Sequence, residues 1–81
     1  MPRIRNAMLD RRIGRELRAA RLAAGRSLTE VAGDLGCSYQ QVQKYERGSN
    51  ALTIAALLAF ATSLGFDPVR FLARCLAADA A

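Results

Sequence analysis

The chain of 81 residues is long enough for one small domain, and its hydrophobic content of 52% is sufficient for a packed core. It contains no histidine and few carboxylates, so the composition argues against an enzyme, a metal site or a cofactor. The net charge is +5, and residues 1–26 hold eight arginines against two carboxylates, a local balance of +6. Charge concentrated at one end indicates a polyanionic partner, either nucleic acid or an anionic membrane surface.

Hydropathy and cysteine spacing predict a cytoplasmic protein. The longest apolar run, Ile54–Ala61, is far shorter than a membrane span, and the arginine-containing N-terminus lacks the apolar region of a signal peptide. Cys37 and Cys75 lie far apart and have no metal-ligand spacing. We expect reduced thiols, with a disulfide as the alternative.

The first two predicted helices have clear apolar faces and ends. Helix 1 is expected to begin near Asp10 and to end at Gly25, with a buried stripe formed by Ile13, Leu17, Ala20 and Ala24. Helix 2 covers Leu28–Leu35. Ser27 and Glu30 have the spacing of a capping box at its start, and Gly36 follows its end.

Helix 3 is predicted over Tyr39–Arg47, between an N-cap at Ser38 and a stop at Gly48. Val42 and Tyr45 form its inward side. The outward side consists of long polar side chains with many hydrogen-bonding groups: Gln40, Gln43, Lys44 and Arg47.

Two further helices complete a predicted all-α domain of five helices. Helix 4 covers Ile54–Leu64, capped by Thr53 and ended by Gly65, with an inward face of Ile54, Leu57, Leu58, Ala61 and Leu64. Helix 5 opens at Asp67 and Pro68. We expect a basic arm over residues 1–9, the domain over 10–76 and a short C-terminal tail over 77–81.

Helices 2 and 3, joined by a short turn, match a helix-turn-helix unit. From about Ile13 to Leu72 the chain resembles the Cro/CI (XRE) family of helix-turn-helix repressors, whose fold is a compact lambda-repressor-like domain. The residues that carry the resemblance are Arg21, Gly25, Ser27–Ala32, Leu35–Ser38, Val42, Tyr45–Gly48, Asn50, Leu57, Leu58, Ala61, Leu64 and Gly65. Arg26 and Cys37 depart from it, since the family usually has an apolar residue and valine there.

The resemblance implies that helix 3 enters the major groove of double-stranded DNA. The residues expected to read base edges are Tyr39, Gln40, Gln43 and Lys44. Those expected to contact the DNA backbone are Ser27, Leu28, Thr29, Ser38, Gln41, Arg47, Ser49 and Asn50, partly through main-chain amides. Tyr39 alternatively braces the start of helix 3, Ser27 is alternatively only a cap, and Gln41 alternatively faces solvent.

Other residues are expected to support this site. Arg21 and Glu46 match the family's internal ion pair. Arg3 and Arg5 belong to an arm that follows the DNA, or alternatively to a solvated tail. Residues in helix 5 are expected to form a homodimer interface: Val69, Cys75 and Leu76. Phe66, Phe71 and Leu72 are expected in the monomer core, and the alternative is a helix 5 packed wholly on its own subunit.

The resemblance therefore implies a sequence-specific transcriptional regulator of a bacterium or phage, associated with the nucleoid. We expect a repressor that binds a pseudo-palindromic operator as a homodimer. Activation by contact with RNA polymerase is an alternative sign of regulation. An antitoxin that binds a partner protein and represses its own promoter is an alternative function.

Overall fold

Five α-helices and no strand make up residues 6–80, the part of the chain that the computed structural model describes. The helices are α1 (Ala7–Ala23), α2 (Leu28–Leu35), α3 (Tyr39–Arg47), α4 (Ile54–Leu64) and α5 (Pro68–Ala80). The predicted all-α class and the bounds of α2, α3 and α4 are confirmed. These bounds are sharp because each of the three helices begins at a side-chain cap and ends at a left-handed glycine.

Both terminal helices are longer than predicted. α1 begins at Ala7 instead of Asp10, because the side chain of Asn6 accepts a hydrogen bond from the amide of Leu9 at 3.0 Å. α5 continues to Ala80, and its alanine-rich end has high helix propensity. Residues 7–9 are thus helical rather than part of an arm, and residues 77–80 are helical rather than a tail. Residues 1–5, which include Arg3 and Arg5, and residue 81 lie outside the described residues.

The core lies where all five helices meet. α1 and α2 both pack on α3, α4 packs on α2, and α5 packs on α1. Its largest fully buried side chains are Leu17, Val31, Val42, Phe60, Phe71 and Cys75. Tyr45 meets Phe60 edge to face with ring centroids 5.9 Å apart, and Phe66 stacks on Phe71 at 4.8 Å.

Several residues predicted to face inward are exposed. Ala24, just after the last turn of α1, is exposed. The buried residue near this end of the helix is Arg21. In α4, Ile54 and Leu58 face solvent, whereas Phe60 is fully buried. α4 is apolar almost all round, so hydrophobic periodicity could not identify its inner face.

Within residues 6–80, no single helix has both the length and the apolar composition needed to cross a membrane. Only α4 and the first part of α5, taken together, have that length and composition, and a bend of 112° separates them.

Candidate nucleic-acid interface

The outer face of α3 is polar and the inner face is anchored in the core. Val42 and Glu46 are buried and Tyr45 is half-buried. A helix turns about 100° per residue, so Gln40 and Lys44 lie on the side opposite to these anchors. Both are exposed, and so is Arg47. This surface presents an amide, an ammonium and a guanidinium group on a short rigid rod.

The other predicted base-reading residues flank this polar face. Tyr39 is 47% exposed, so its ring is partly buried, which agrees both with a brace of the helix start and with a base-reading side chain. Gln43 is half-buried toward α1, and Gln41 is half-buried beside Leu35 and Tyr45. Of the four residues predicted to read bases, Gln43 is thus the least exposed, and the centre of the polar face consists of Gln40 and Lys44.

A buried ion pair joins α1 to the end of α3. Nε of Arg21 donates to Oε2 of Glu46 at 2.7 Å, and Nη2 donates to Oε1 at 3.1 Å, as the family resemblance implied. Nη1 of Arg21 also donates to the carbonyl oxygen of Arg26 at 3.0 Å. The hydrogen bonds to Glu46 raise the pKa of Arg21, so its guanidinium group remains charged. It holds α3, α1 and the loop after α1 in one arrangement.

Two glycines allow α1 and α3 to approach closely, and the sequence analysis missed this role of Gly14. A Cβ atom at Gly14 would meet the carbonyl oxygen of Glu46 and lie 2.6 Å from that of Tyr45. Gly48 has φ +73°, and a Cβ atom there would lie 2.7 Å from the backbone of Arg11. A glycine inside a helical pattern costs stability, which was the available sign that residue 14 has a packing role.

The N-terminus of α2 is capped reciprocally. The hydroxyl of Ser27 accepts from the amide of Glu30 at 3.0 Å, and the amide of Ser27 donates to Oε1 of Glu30 at 2.9 Å. The Ser27 hydrogen bonds lower the pKa of Glu30. Ser27 is thus at least a cap. The first intrahelical hydrogen bond is donated by the amide of Val31 to the carbonyl oxygen of Ser27. The amides of Leu28 and Thr29 precede it, so they have no acceptor within the helix and are directed outward from its N-terminus.

The caps around α3 use some groups that were expected to contact DNA. The hydroxyl of Ser38 accepts from the amide of Gln41 at 3.2 Å. The amide of Ser49 donates to the carbonyl oxygen of Lys44 at 2.9 Å. This main-chain amide is therefore engaged within the protein, because the left-handed Gly48 folds the chain back over the end of α3. Asn50 is half-buried in the same loop.

A cleft of about 270 Å³ opens beside α3. It is lined by residues of α1, α2 and α3, namely Arg18, Arg21, Leu28, Gln43, Glu46 and Arg47. It therefore connects the start of α2 with the polar face of α3. The helix-turn-helix unit and α1 share one basic surface.

Arg26 makes a second ionic contact that the sequence analysis did not predict. Its Nη2 donates to Oδ2 of Asp34 at 2.7 Å, and the hydroxyl of Ser63 donates to the same oxygen at 2.7 Å. These hydrogen bonds, chiefly that from Ser63, lower the pKa of Asp34. Asp34 of α2 is thus joined to α4 through Ser63 and to the loop before α2 through Arg26, which departs from the family pattern.

The predicted dimer residues divide in two. Val69 and Leu76 are 72% and 62% exposed, whereas Cys75 is 1% exposed and lies in the monomer core. Leu72, which was expected in that core, is 40% exposed and shares the outer stripe of α5 with Val69 and Leu76. Cys75 was misassigned because the inner face of α5 is set by packing on α1. The two cysteines are free thiols, as expected, and burial raises the pKa of Cys75.

Potential metal ligands are scattered over the described residues, where no three His, Cys, Asp or Glu side chains form a cluster. The geometry instead offers exposed polar side chains, outward amides and arginines on one surface. This combination suits the recognition of a long anion with readable polar edges.

Comparison with known proteins gives consistent findings. A family model described as a helix-turn-helix domain matches residues 12–73. Over 56 residues the chain is 34% identical to an uncharacterized HTH-type transcriptional regulator of Rickettsia conorii. It is 36% identical to an uncharacterized transcriptional regulator in the ATPase CF(0) region of Rhodospirillum rubrum. Each alignment covers 69% of this chain but 45% and 52% of these relatives, so the chain spans about half their length.

Two solved structures have a similar fold. The clp gene regulator ClgR from C. glutamicum matches with a TM-score of 0.80 and 24% identity, over 86% of this chain and 91% of that one. The restriction-modification controller protein C.AhdI from Aeromonas hydrophila matches with a TM-score of 0.73 and 30% identity, over 82% and 98% of the two chains. The first likeness bears on the fold alone.

Proposed function

Because this chain belongs to the Cro/CI type of helix-turn-helix DNA-binding regulators, we propose that it is a repressor that binds a pseudo-palindromic operator as a homodimer. One observation carries the proposal. The polar face of α3 is exposed at Gln40 and Lys44, while buried Val42 and Glu46 fix its angle from behind.

Base reading is assigned to the outer face of α3. The amide of Gln40 suits adenine, which it pairs in a bidentate manner, and the ammonium group of Lys44 reaches O6 and N7 of guanine. Tyr39 lies at the first turn, where its exposed ring contacts a thymine methyl group or a base edge. Gln43 contributes from the edge of the surface. These contacts determine which DNA sequence the protein prefers.

Backbone contacts are assigned to the groups around α3. The outward amides of Leu28 and Thr29 lie at the positive end of the α2 dipole and favour a phosphate there. Ser27 donates from its hydroxyl while its oxygen serves as the cap. Arg47 follows the polar face of α3, and the remaining backbone contacts are assigned to side chains of Ser38, Gln41, Ser49 and Asn50. Such contacts set the register of the protein and not the base preference.

Homodimerisation is assigned to the outer stripe of α5, formed by Val69, Leu72 and Leu76. Three large apolar side chains on one exposed stripe favour burial against a second copy. The described domain measures 31 × 28 × 18 Å, so two copies joined end to end along either of the two longer axes have centres about 30 Å apart. This spacing suits half-sites about one turn of B-DNA apart, about 34 Å.

Repression by promoter occupancy is favoured over activation. The acidic residues of α2 that would contact RNA polymerase, Glu30 and Asp34, are already engaged by Ser27, Arg26 and Ser63. An antitoxin function would require in addition a stoichiometric partner protein that copurifies with the chain. A promoter-occupying repressor needs only the chain and its operator.

Selection of duplexes from a random pool tests the proposal. We expect one enriched motif with two-fold symmetry. The Gln40→Ala/Lys44→Ala variant should lose discrimination, since each good base contact is worth about 1–3 kcal/mol. Arg47→Ala should weaken binding to all duplexes alike. Absence of enrichment, or retained discrimination in the double variant, would contradict the proposal, and an asymmetric motif would contradict the homodimer.

A further inference from the structure

We infer that the cleft between α1, α2 and α3 binds one phosphate group of the DNA backbone and that Arg18 of α1 is the side chain that holds this phosphate. The inference rests on the proposed function and extends it to a helix outside the helix-turn-helix unit. Arg18 is an exposed residue of α1. In the structure it lines a cleft that also contains Leu28 and Arg47.

The position of Arg18 on α1 follows from the helix repeat. Gly14, Arg18 and Arg21 are spaced by four and three residues and therefore lie on one side of α1. This is the side that packs on α3, because Gly14 contacts the backbone of Glu46 and Arg21 pairs with its carboxylate. Arg18 is exposed on the same side and lines the cleft together with Leu28 at the start of α2.

The charges around the cleft favour an anion. Three guanidinium groups and one carboxylate line it, and Arg21 and Glu46 neutralise each other. Within residues 6–80, Arg18 and Arg47 form no ion pair with a carboxylate. The cleft thus has two uncompensated positive charges, one from α1 and one from α3. Guanidinium groups bind phosphate in a bidentate geometry.

The size of the cleft fits a hydrated phosphate. Its volume of about 270 Å³ is several times the roughly 30 Å³ that a water molecule occupies in the liquid. Leu28, the first residue of α2, lines the same space, and an amide at this helix position has no intrahelical acceptor, so one phosphate can accept from this amide and from Arg18 together. The cleft adjoins the base-reading face through Gln43 and Arg47.

Salt dependence of DNA binding tests the inference. The probe is the fluorescein-labelled duplex recovered by selection with the wild-type protein, titrated between 50 and 200 mM salt. Loss of one phosphate contact lowers the slope of log K against log salt by about 0.9. For Arg18→Ala we therefore expect the affinity ratio to wild type to shrink about 3.5-fold over this fourfold range.

Arg15→Ala is the matched control, because Arg15 is an exposed arginine of the same helix that does not line the cleft and lies about 100° around the helix axis from Gly14. It removes the same charge and should leave the slope unchanged. Arg18→Ala is expected to fold normally, since the side chain is exposed and alanine favours helix. Circular dichroism melting of both variants checks this point. Equal slopes for the two variants would overturn the inference.

A scan with single neutral methylphosphonate linkages locates the phosphate. We expect one linkage per half-site whose neutralisation weakens binding by the wild type and by Arg15→Ala more than it weakens binding by Arg18→Ala. Equal sensitivity of all three proteins at every linkage overturns the assignment of Arg18 but leaves the proposed function intact. Failure of the wild type to bind any selected duplex overturns the proposed function itself.

Discussion

Replacement of Gly14 by alanine tests whether close contact between α1 and α3 organises the interface. The new Cβ atom would meet the carbonyl oxygen of Glu46 and lie 2.6 Å from that of Tyr45, whereas ordinary contacts of a Cβ atom begin at 3.4 Å. The two helices must therefore separate by at least about 0.8 Å. Backbone carbonyl groups inside α3 cannot rotate away, so the strain is not relieved by a side-chain rotation.

The expected loss of stability is about 2–3 kcal/mol. Overpacking a tight contact costs about 1–3 kcal/mol, and a gap of about 0.5–1 Å removes a quarter to a half of each dispersion contact beside it. The same shift lengthens the Arg21–Glu46 hydrogen bonds from 2.7 and 3.1 Å, which adds to the loss. Higher helix propensity of alanine offsets about 1 kcal/mol. A domain of 81 residues has a total of about 4–12 kcal/mol, so the loss is large.

Urea unfolding followed by circular dichroism, at one fixed protein concentration, measures the effect. Gly33→Ala is the control, because Gly33 also lies inside a helix and has nothing within 4 Å of its Cβ position. It should increase the free energy of unfolding by about 0.5–1 kcal/mol. The two identical substitutions are thus expected to have opposite signs. A Gly14→Ala variant as stable as the wild type would refute the reasoning.

Three further predictions concern the ion pair, the α2 cap and the dimer. Glu46→Ala should lower the free energy of unfolding by about 3 kcal/mol, because it leaves buried Arg21 unpaired. The DNA motif selected by this variant should be that of the wild type. An altered motif at unchanged stability would reject the structural role of the ion pair. Because Ser27 lowers the pKa of Glu30 below its ordinary value of 4.5, this carboxylate stabilises the fold above that pH and loses its effect as the pH falls through the folded-state pKa. The stability advantage over Glu30→Gln should therefore be greatest near neutral pH and disappear in acid, and a constant advantage across urea melts at each pH would exclude this cause. Leu76→Glu should shift the protein to monomers in sedimentation equilibrium; an unchanged mass would place the interface elsewhere.

The local chemistry of the sequence was sufficient for the helices and for the general character of the interface. Ser27 and Gly36, like Ser38 and Gly48, delimit α2 and α3 because capping involves only residues within one turn. The helical spacing of Val42 and Tyr45 likewise predicted that the polar residues on the opposite side of α3 are exposed. The Arg21–Glu46 pair was also predictable, although only through resemblance to a family.

Contacts between helices decided the remaining features. Cys75 is buried and Leu72 exposed because α5 packs on α1 at an angle that its own periodicity does not specify. Gly14 and Arg18 acquire their roles only when α1 lies against α3, since neither has a local partner that reveals the distant helix. Hydrogen bonds within a turn depend on neighbouring residues, whereas helix crossing depends on the shape of two surfaces far apart in sequence.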